Sequence, residues 1–109
     1  MCKLFARTDP RSYASETRSV RLAGHVTSIR LEGAFWDVLA EIAADQGITL
    51  GRFLTVLHDE VLEEHGEVTN FTSLLRCACL TYAGTIRPDP EARRRFAATA
   101  LDALPQSAM

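Results

Sequence analysis

An alternation of apolar and polar residues is the first regular pattern along the chain, and it covers the six residues Val26–Leu31. This period is typical of a β-strand with one buried face. No partner strand is obvious in the sequence, although the backbone groups of a strand require one. We therefore expect this strand to pair with the same strand of a second copy, as an intermolecular two-stranded antiparallel ribbon.

A second alternating piece, Ser19–Leu22, precedes the first, and Ala23 and Gly24 separate the two. Two interpretations are open. Either the two pieces fold as a hairpin within one chain, or residues 19–22 form a strand extension beside an intermolecular ribbon. A ribbon of two paired strands fits a DNA major groove.

Two amphipathic helices follow the alternating segments. Apolar residues recur at three- and four-residue steps from Glu32 to about Gln46, and again from Leu50 to about His65. Gly47 is suited to end the first helix, and Thr49 is suited to cap the second. The turn between the helices is therefore very tight.

The remainder of the chain predicts two more helices. The third begins after Asn70, extends to about Ala83 and is apolar nearly all round, so it needs cover on several sides. A dimer interface or a position as a lid over the first two helices would supply that cover. The fourth begins at Pro90 and ends before Pro105. Its adjacent Arg93–Arg95 are interpreted as solvated surface.

The bulk composition favours one globular domain, because the chain has 109 residues of which 47% are hydrophobic. We divide it into an irregular N-terminal arm at 1–17, a strand-and-helix domain with the third helix at 18–84, and a C-terminal helix with a tail at 85–109. No segment has the pattern of a membrane span or a secretory signal, so we expect a cytoplasmic protein without membrane contact.

Charge is segregated along the chain although the net charge is only −2. Residues 1–30 carry six basic and two acidic groups, a net +4, whereas residues 31–70 carry one arginine and nine acids, a net −8. The last 39 residues return to +2. A folded dimer would have a basic ribbon side and an acidic helical side, which suits a protein that presents one face to phosphates.

Metal and catalytic chemistry find little support in the sequence. Cys2, Cys77 and Cys79 do not form a disulfide framework and are interpreted as inert thiols. The three histidines lack the spacing of a metal site. No phosphate-binding glycine loop or nucleophile elbow is present, so we expect no cofactor and no enzymatic activity.

Three short motifs carry a resemblance to a known family: Thr27–Glu32, Phe35-Trp36 and Gly47–Thr49. With them the chain resembles the ribbon-helix-helix superfamily of the Arc and MetJ repressors, over roughly residues 19–84. More narrowly, it looks like a bacterial group of ribbon-helix-helix domain proteins. The resemblance implies a mainly α fold, a ribbon-helix-helix homodimer to which this chain adds one or two C-terminal helices.

The resemblance also implies how DNA is contacted. In this family the paired strands enter the major groove and alternate side chains read base edges. Arg30 is the strongest candidate, since a guanidinium bonds bidentately to guanine, and Ser28 is short enough to bond either kind of base. Period two then directs Thr27, Ile29 and Leu31 toward the helices, and Val26, Ser28 and Arg30 toward DNA.

A phosphate contact at the start of the second helix is the other implied feature. Free backbone amides of this helix clamp a phosphate in the family, which corresponds here to Thr49, Leu50 and Gly51, with Arg52 as a possible side-chain contact. The chain departs from well-characterised repressors in two respects: Val26 is apolar at a reading position, and Glu32 replaces a usual proline.

The leading hypothesis is a dimeric, sequence-specific protein that binds double-stranded DNA and regulates transcription. The alternative keeps the dimer without specific DNA binding: the acidic second helix and the C-terminal helices recruit a protein, as in an adaptor or an antitoxin-like module. Dimers that assemble into higher oligomers fit either hypothesis.

Overall fold

A β-hairpin packed against helices forms the architecture of the protein. The computed structural model describes the backbone of residues 3–103 and the side chains of residues 3–99. In chain order the elements are α1 (Pro10–Tyr13), β1 (Ser15–Leu22), β2 (His25–Glu32), α2 (Gly33–Asp45), α3 (Leu50–His65), α4 (Phe71–Thr81), a π-helical turn (Tyr82–Ile86) and α5 (Pro90–Ala103).

The two strands pair with each other within the chain, which corrects the expectation of an intermolecular two-stranded ribbon. They are antiparallel over their full length, from Ser15 opposite Glu32 to Leu22 opposite His25. The connecting residues Ala23 and Gly24 have φ values of +51° and +81°. Two left-handed residues in a two-residue loop match the right-handed twist of paired strands. The hairpin interpretation of the sequence is therefore confirmed, and the partner strand is β1.

Residues before the hairpin are more ordered than the irregular arm expected for residues 1–17. A short helix, α1, is capped by the Asp9 side chain, and β1 begins at Ser15. Gly33 lies against this segment, and its N–H donates to the Ala14 carbonyl at 3.0 Å. A Cβ on Gly33 would lie 2.4 Å from the Arg11 carbonyl oxygen, so glycine permits this close approach.

The two central helices confirm their predicted bounds closely. α2 ends at Asp45, and Gly47 takes up a φ of +70° in the turn. The Thr49 side chain then accepts a hydrogen bond from the Arg52 N–H at 3.1 Å and caps α3. The short turn makes α2 and α3 neighbours, and α3 also packs against β1.

The helix α4 lies over α2 and β2, so part of its apolar surface is covered within the chain. Leu75 and Cys79 are buried, whereas Cys77 is exposed and Leu80 is 66% exposed. The chain then forms the π-helical turn, and α5 packs against this turn and against α2. The lid interpretation therefore describes one side of α4, and its other side remains open.

One core joins the hairpin to the helices. Its members are Leu22, Ile29, Leu31, Trp36, Leu39, Ile42, Ala43, Phe53, Leu54, Leu75, Cys79 and Tyr82. Within residues 3–103, no helix combines the length and the apolar character that crossing a membrane requires.

Candidate nucleic-acid interface

The outward face of the hairpin is polar, basic and open. Three cross-strand pairs form it, and all six side chains are exposed. The pairs are Thr17 with Arg30, Ser19 with Ser28, and Arg21 with Val26. Their alternation with buried neighbours places them on one side of the sheet, away from the helices. Val26, Ser28 and Arg30 are thus exposed as predicted, and β1 adds three residues to the same face.

The inward face attaches the hairpin to the helices. Ile29 and Leu31 are buried, as period two predicts, and so is Leu22 at the end of β1. Thr27 departs from the prediction because it is exposed. It lies near the hairpin turn, where it lines a surface cavity together with His58 rather than packing on the core.

Arg18 occupies an inward position of β1 and so takes no part in the outward face. Its guanidinium lies 4.7 Å from the centroid of the Trp36 ring and forms an ion pair with Glu16. The Trp36 indole N–H donates to the Glu16 carbonyl at 2.9 Å. These contacts fix the start of the hairpin on α2.

Glu32, the acid at the end of β2, is paired within the protein. Arg76 on α4 donates to both of its carboxylate oxygens, at 3.0 and 3.4 Å. These hydrogen bonds hold the pKa of Glu32 below its ordinary value. By its register Glu32 lies on the same side of β2 as Arg30, opposite Ser15, and its pairing with Arg76 neutralises this carboxylate. The three pairs that define the outward face contain no carboxylate.

The N-terminus of α3 presents a second group of predicted contacts. Thr49 uses its hydroxyl to accept the Arg52 N–H, so that amide is already bonded. Gly51 is exposed, and no atom lies within 4 Å of the position that a Cβ would take there. Arg52 forms no ion pair with any residue whose side chain is described. The remaining first-turn amides of Leu50 and Gly51 carry the partial positive charge of a helix start.

A buried tyrosine organises a separate polar network that joins α2, the π-helical turn and α5. The Tyr82 hydroxyl bonds the carboxylates of Glu41 and Asp45 on α2. Arg87 binds Glu41 bidentately at 2.8 and 2.9 Å, and Arg93 binds Asp45 at 2.8 and 3.0 Å. These arginines lower the pKa values of both carboxyls, and burial raises the pKa of Tyr82.

This network corrects the interpretation of Arg93–Arg95 as solvated surface. Arg93 holds α5 on α2, and the Asp45 side chain that it binds is only 13% exposed. Arg95 pairs with Glu91 one turn earlier, and Arg94 forms no ion pair among the described side chains. Of the three arginines, only Arg93 bonds a residue of another helix among the described side chains. The sequence spacing of the three does not reveal this, because it depends on how α5 packs on α2.

The thiols differ in their surroundings. Cys79 is buried, and its Sγ donates to the Phe35 carbonyl at 3.6 Å. Burial raises the pKa of this thiol to about 11. Cys77 is exposed, and Cys2 lies outside the described residues. Within residues 3–99, no three side chains of the metal-binding types come together.

Comparisons with known proteins agree with this geometry. The profile of the ribbon-helix-helix domain matches residues 15–83, which include the hairpin and α2 to α4. A solved structure of an uncharacterized protein from Bordetella pertussis Tohama I is similar to the chain, with 41% sequence identity and a TM-score of 0.80. The match covers 100% of this chain and 93% of that one. The comparison with curated proteins gave no match.

Proposed function

This chain belongs to the ribbon-helix-helix domain family, and on that premise we propose that it is a dimeric, sequence-specific DNA-binding protein that regulates transcription in the cytoplasm. The outward face of the hairpin is the observation that carries the proposal. It offers two arginines and three hydroxyl groups on a two-stranded ribbon and includes no carboxylate. Such a ribbon has the dimensions that the major groove admits.

In this proposal the side chains of the central pair and of the two outer pairs of this face contact the base edges. Arg30 and Arg21 lie in the two outer pairs, and each guanidinium can bond guanine O6 and N7. Ser28 and Ser19, opposite each other between them, donate to or accept from any base edge. Val26 is 66% exposed and offers an apolar contact to a thymine methyl group. The apolar residue at a reading position thus has a base feature to contact.

The start of α3 provides the phosphate contact in this proposal. The Leu50 and Gly51 amides are those not used by the Thr49 cap, and Gly51 leaves open space for a phosphate oxygen. Arg52 adds a positive charge in the same turn. Phosphate contacts of this kind fix the position of a protein on the duplex without reading sequence.

We propose that the homodimer forms through β2. β1 occupies one edge of β2, and the other edge lacks a partner strand among the described residues. The edge of β1 that faces away from β2 is partly covered, because the Thr55 hydroxyl on α3 donates to the Arg21 carbonyl at 3.0 Å. Pairing of β2 with its symmetry mate would satisfy the exposed edge of β2. The two β2 strands at the centre of the dimer would then form the two-stranded ribbon that enters the groove, with Arg30 of each subunit on it and the β1 strands on either side.

Selection of bound sequences from a random duplex library tests the proposal. The purified protein should enrich one motif, with affinity that falls steeply as salt rises. Arg30→Ala should lose the preference for guanine at one position of each half-site, by about tenfold or more. Arg94→Ala is the matched control because it removes an exposed arginine remote in sequence from the hairpin, and it should leave the motif unchanged. Equal effects of the two variants, or no enriched motif, would refute base reading by the hairpin.

A further inference from the structure

An open apolar groove runs between α3 and the pair formed by α4 and α5. Ile42 of α2 lies at its floor. Phe53 and Leu57 of α3, Leu74 and Ala78 of α4, and Phe96 of α5 also line it. The cavity measures about 600 Å³. The helix α3 packs on α2 and β1, whereas α4 packs on α2 and β2, and the groove lies between them over α2.

A second cavity lies next to the first, along the C-terminal half of α3. It measures about 510 Å³, is lined by Val61, His65 and Glu67, and shares Leu74 with the first. From Phe53 to His65, α3 extends about 18 Å at the helical rise per residue. This length corresponds to roughly three turns of another helix, as in recognition of an amphipathic helix by an apolar groove.

The acidic residues in and beside this trough form no ion pairs with described side chains. Glu60 and Glu67 line the two cavities, and Glu63 and Glu64 lie on the same stretch of α3. None of the four forms an ion pair with a described side chain. In contrast, Glu32, Glu41 and Asp45 elsewhere on the molecule are all bound by arginines. Glu60 lines the first cavity and Glu67 the second, so the negative charge follows the length of the apolar floor.

We infer that this trough, which we call the α3–α4 groove, docks a basic amphipathic helix of a partner protein. An apolar stripe at positions i, i+3, i+4 and i+7 fits the floor, and lysine or arginine side chains beside the stripe meet the unpaired glutamates. Complementary charge of this kind directs both the choice of partner and the orientation of the helix. The inference does not rest on the proposed DNA binding, because no groove residue belongs to the outward face of the hairpin.

A second copy of the chain suits the groove less well than a basic helix. The helix α3 of another copy would bring Asp59, Glu60, Glu63 and Glu64 against the same acids, with only Arg52 to compensate. The basic helix α5 is already engaged, since Phe96 packs on Tyr82 with ring centroids 5.9 Å apart. Charge complementarity therefore selects a partner with the opposite sign.

Cys77 provides a site-specific reporter for the test, because it is exposed and lines the groove, whereas Cys79 is buried and its pKa is raised to about 11. The full chain, with Cys2→Ser, is titrated with a synthetic leucine–lysine peptide of roughly four turns that has leucine at the stripe positions. The same composition in scrambled order is the control peptide. Binding is followed by fluorescence anisotropy and by the rate at which Cys77 is alkylated.

The ordered peptide should bind, and at saturation it should slow the alkylation of Cys77. The double variant Glu60→Lys/Glu64→Lys should weaken binding by about tenfold, because two attractive contacts become repulsive. Asp37→Lys/Glu91→Lys, which alters charge equally on α2 and α5, should leave the affinity unchanged. Cys77→Trp, which fills the groove from an exposed position, should also weaken binding in the anisotropy assay.

Three results would overturn the inference. The ordered peptide fails to bind or binds no better than the scrambled one, or the two charge variants weaken it equally. The third is protection of Cys77 by rising protein concentration alone, which would show that a second copy occupies the groove.

Discussion

Replacing Ala23 with asparagine tests the hairpin turn on which the outward face depends. Ala23 has a φ of +51°, a left-handed conformation that costs a residue with a Cβ about 1–2 kcal/mol. Asparagine followed by Gly24 is the preferred pair for a two-residue turn of this kind. We therefore expect Ala23→Asn to raise the free energy of unfolding by about 1 kcal/mol, and the melting temperature by about 4 °C.

Urea unfolding followed by fluorescence measures this change. The chain contains a single tryptophan, Trp36, which is buried and so reports the loss of the core. The control is Ala14→Asn, at an exposed residue with a φ of −73°, where asparagine gains nothing from a left-handed preference. A gain at Ala14 equal to that at Ala23, or no gain at Ala23, would refute the turn.

Three other substitutions follow from burial, close approach and charge. Leu31→Ala removes a fully buried side chain and should cost about 2–5 kcal/mol in urea unfolding, whereas Val26→Ala on the outward face should change stability by less than about 0.5 kcal/mol; similar costs would contradict the assignment of faces. Gly33→Ala should cost about 1–3 kcal/mol because its Cβ meets a carbonyl oxygen, while Gly51→Ala should gain up to about 1 kcal/mol in open space; a neutral Gly33→Ala would contradict the close approach. Hydrogen bonds from Arg93 hold the pKa of Asp45 below its ordinary value, so the stability from this pair is complete above about pH 4 and is lost as pH falls through the lowered pKa. Asp45→Asn should therefore be less stable at neutral pH and lose less stability on acidification, and an unchanged acid profile in thermal melts would contradict the pair.

The helices were predictable because their signals are local. Gly47 and Thr49 mark the end of α2 and the start of α3, and both act in the structure as their residue types suggest. The alternation in β2 likewise places Ile29 inside and Arg30 outside. Short-range periodicity and capping determine these features, so tertiary contacts are not needed to infer them.

The partner of β2 was harder to infer because the first half of β1 does not look like a strand. Arg18 lies at an inward position, where a hydrophobic residue is expected, and it is accommodated by stacking on Trp36. The backbone of Glu16, not its side chain, bonds the same tryptophan. Both interactions depend on α2, which is distant along the chain, so apolar–polar alternation does not detect them. As a result, the contribution of Ser19 and Arg21 to the outward face was missed, although residues 19–22 alternate visibly.

The polar network at α5 could not be predicted from local sequence patterns either. Three adjacent arginines point in three directions around a helix, and only the docking of α5 on α2 selects Arg93 as the partner of Asp45. Whether the predicted contacts of Arg30 and Gly51 with DNA occur is a property of the complex, and these roles stay predictions.

Amide chemical-shift mapping by NMR, during titration with the duplex selected by the protein, tests the central claim most directly. If the outward face of the hairpin enters the major groove, the largest shifts should lie at residues 17–21, 26–30 and 49–52. Shifts confined to α4 and α5, with the hairpin amides unchanged, would contradict the account.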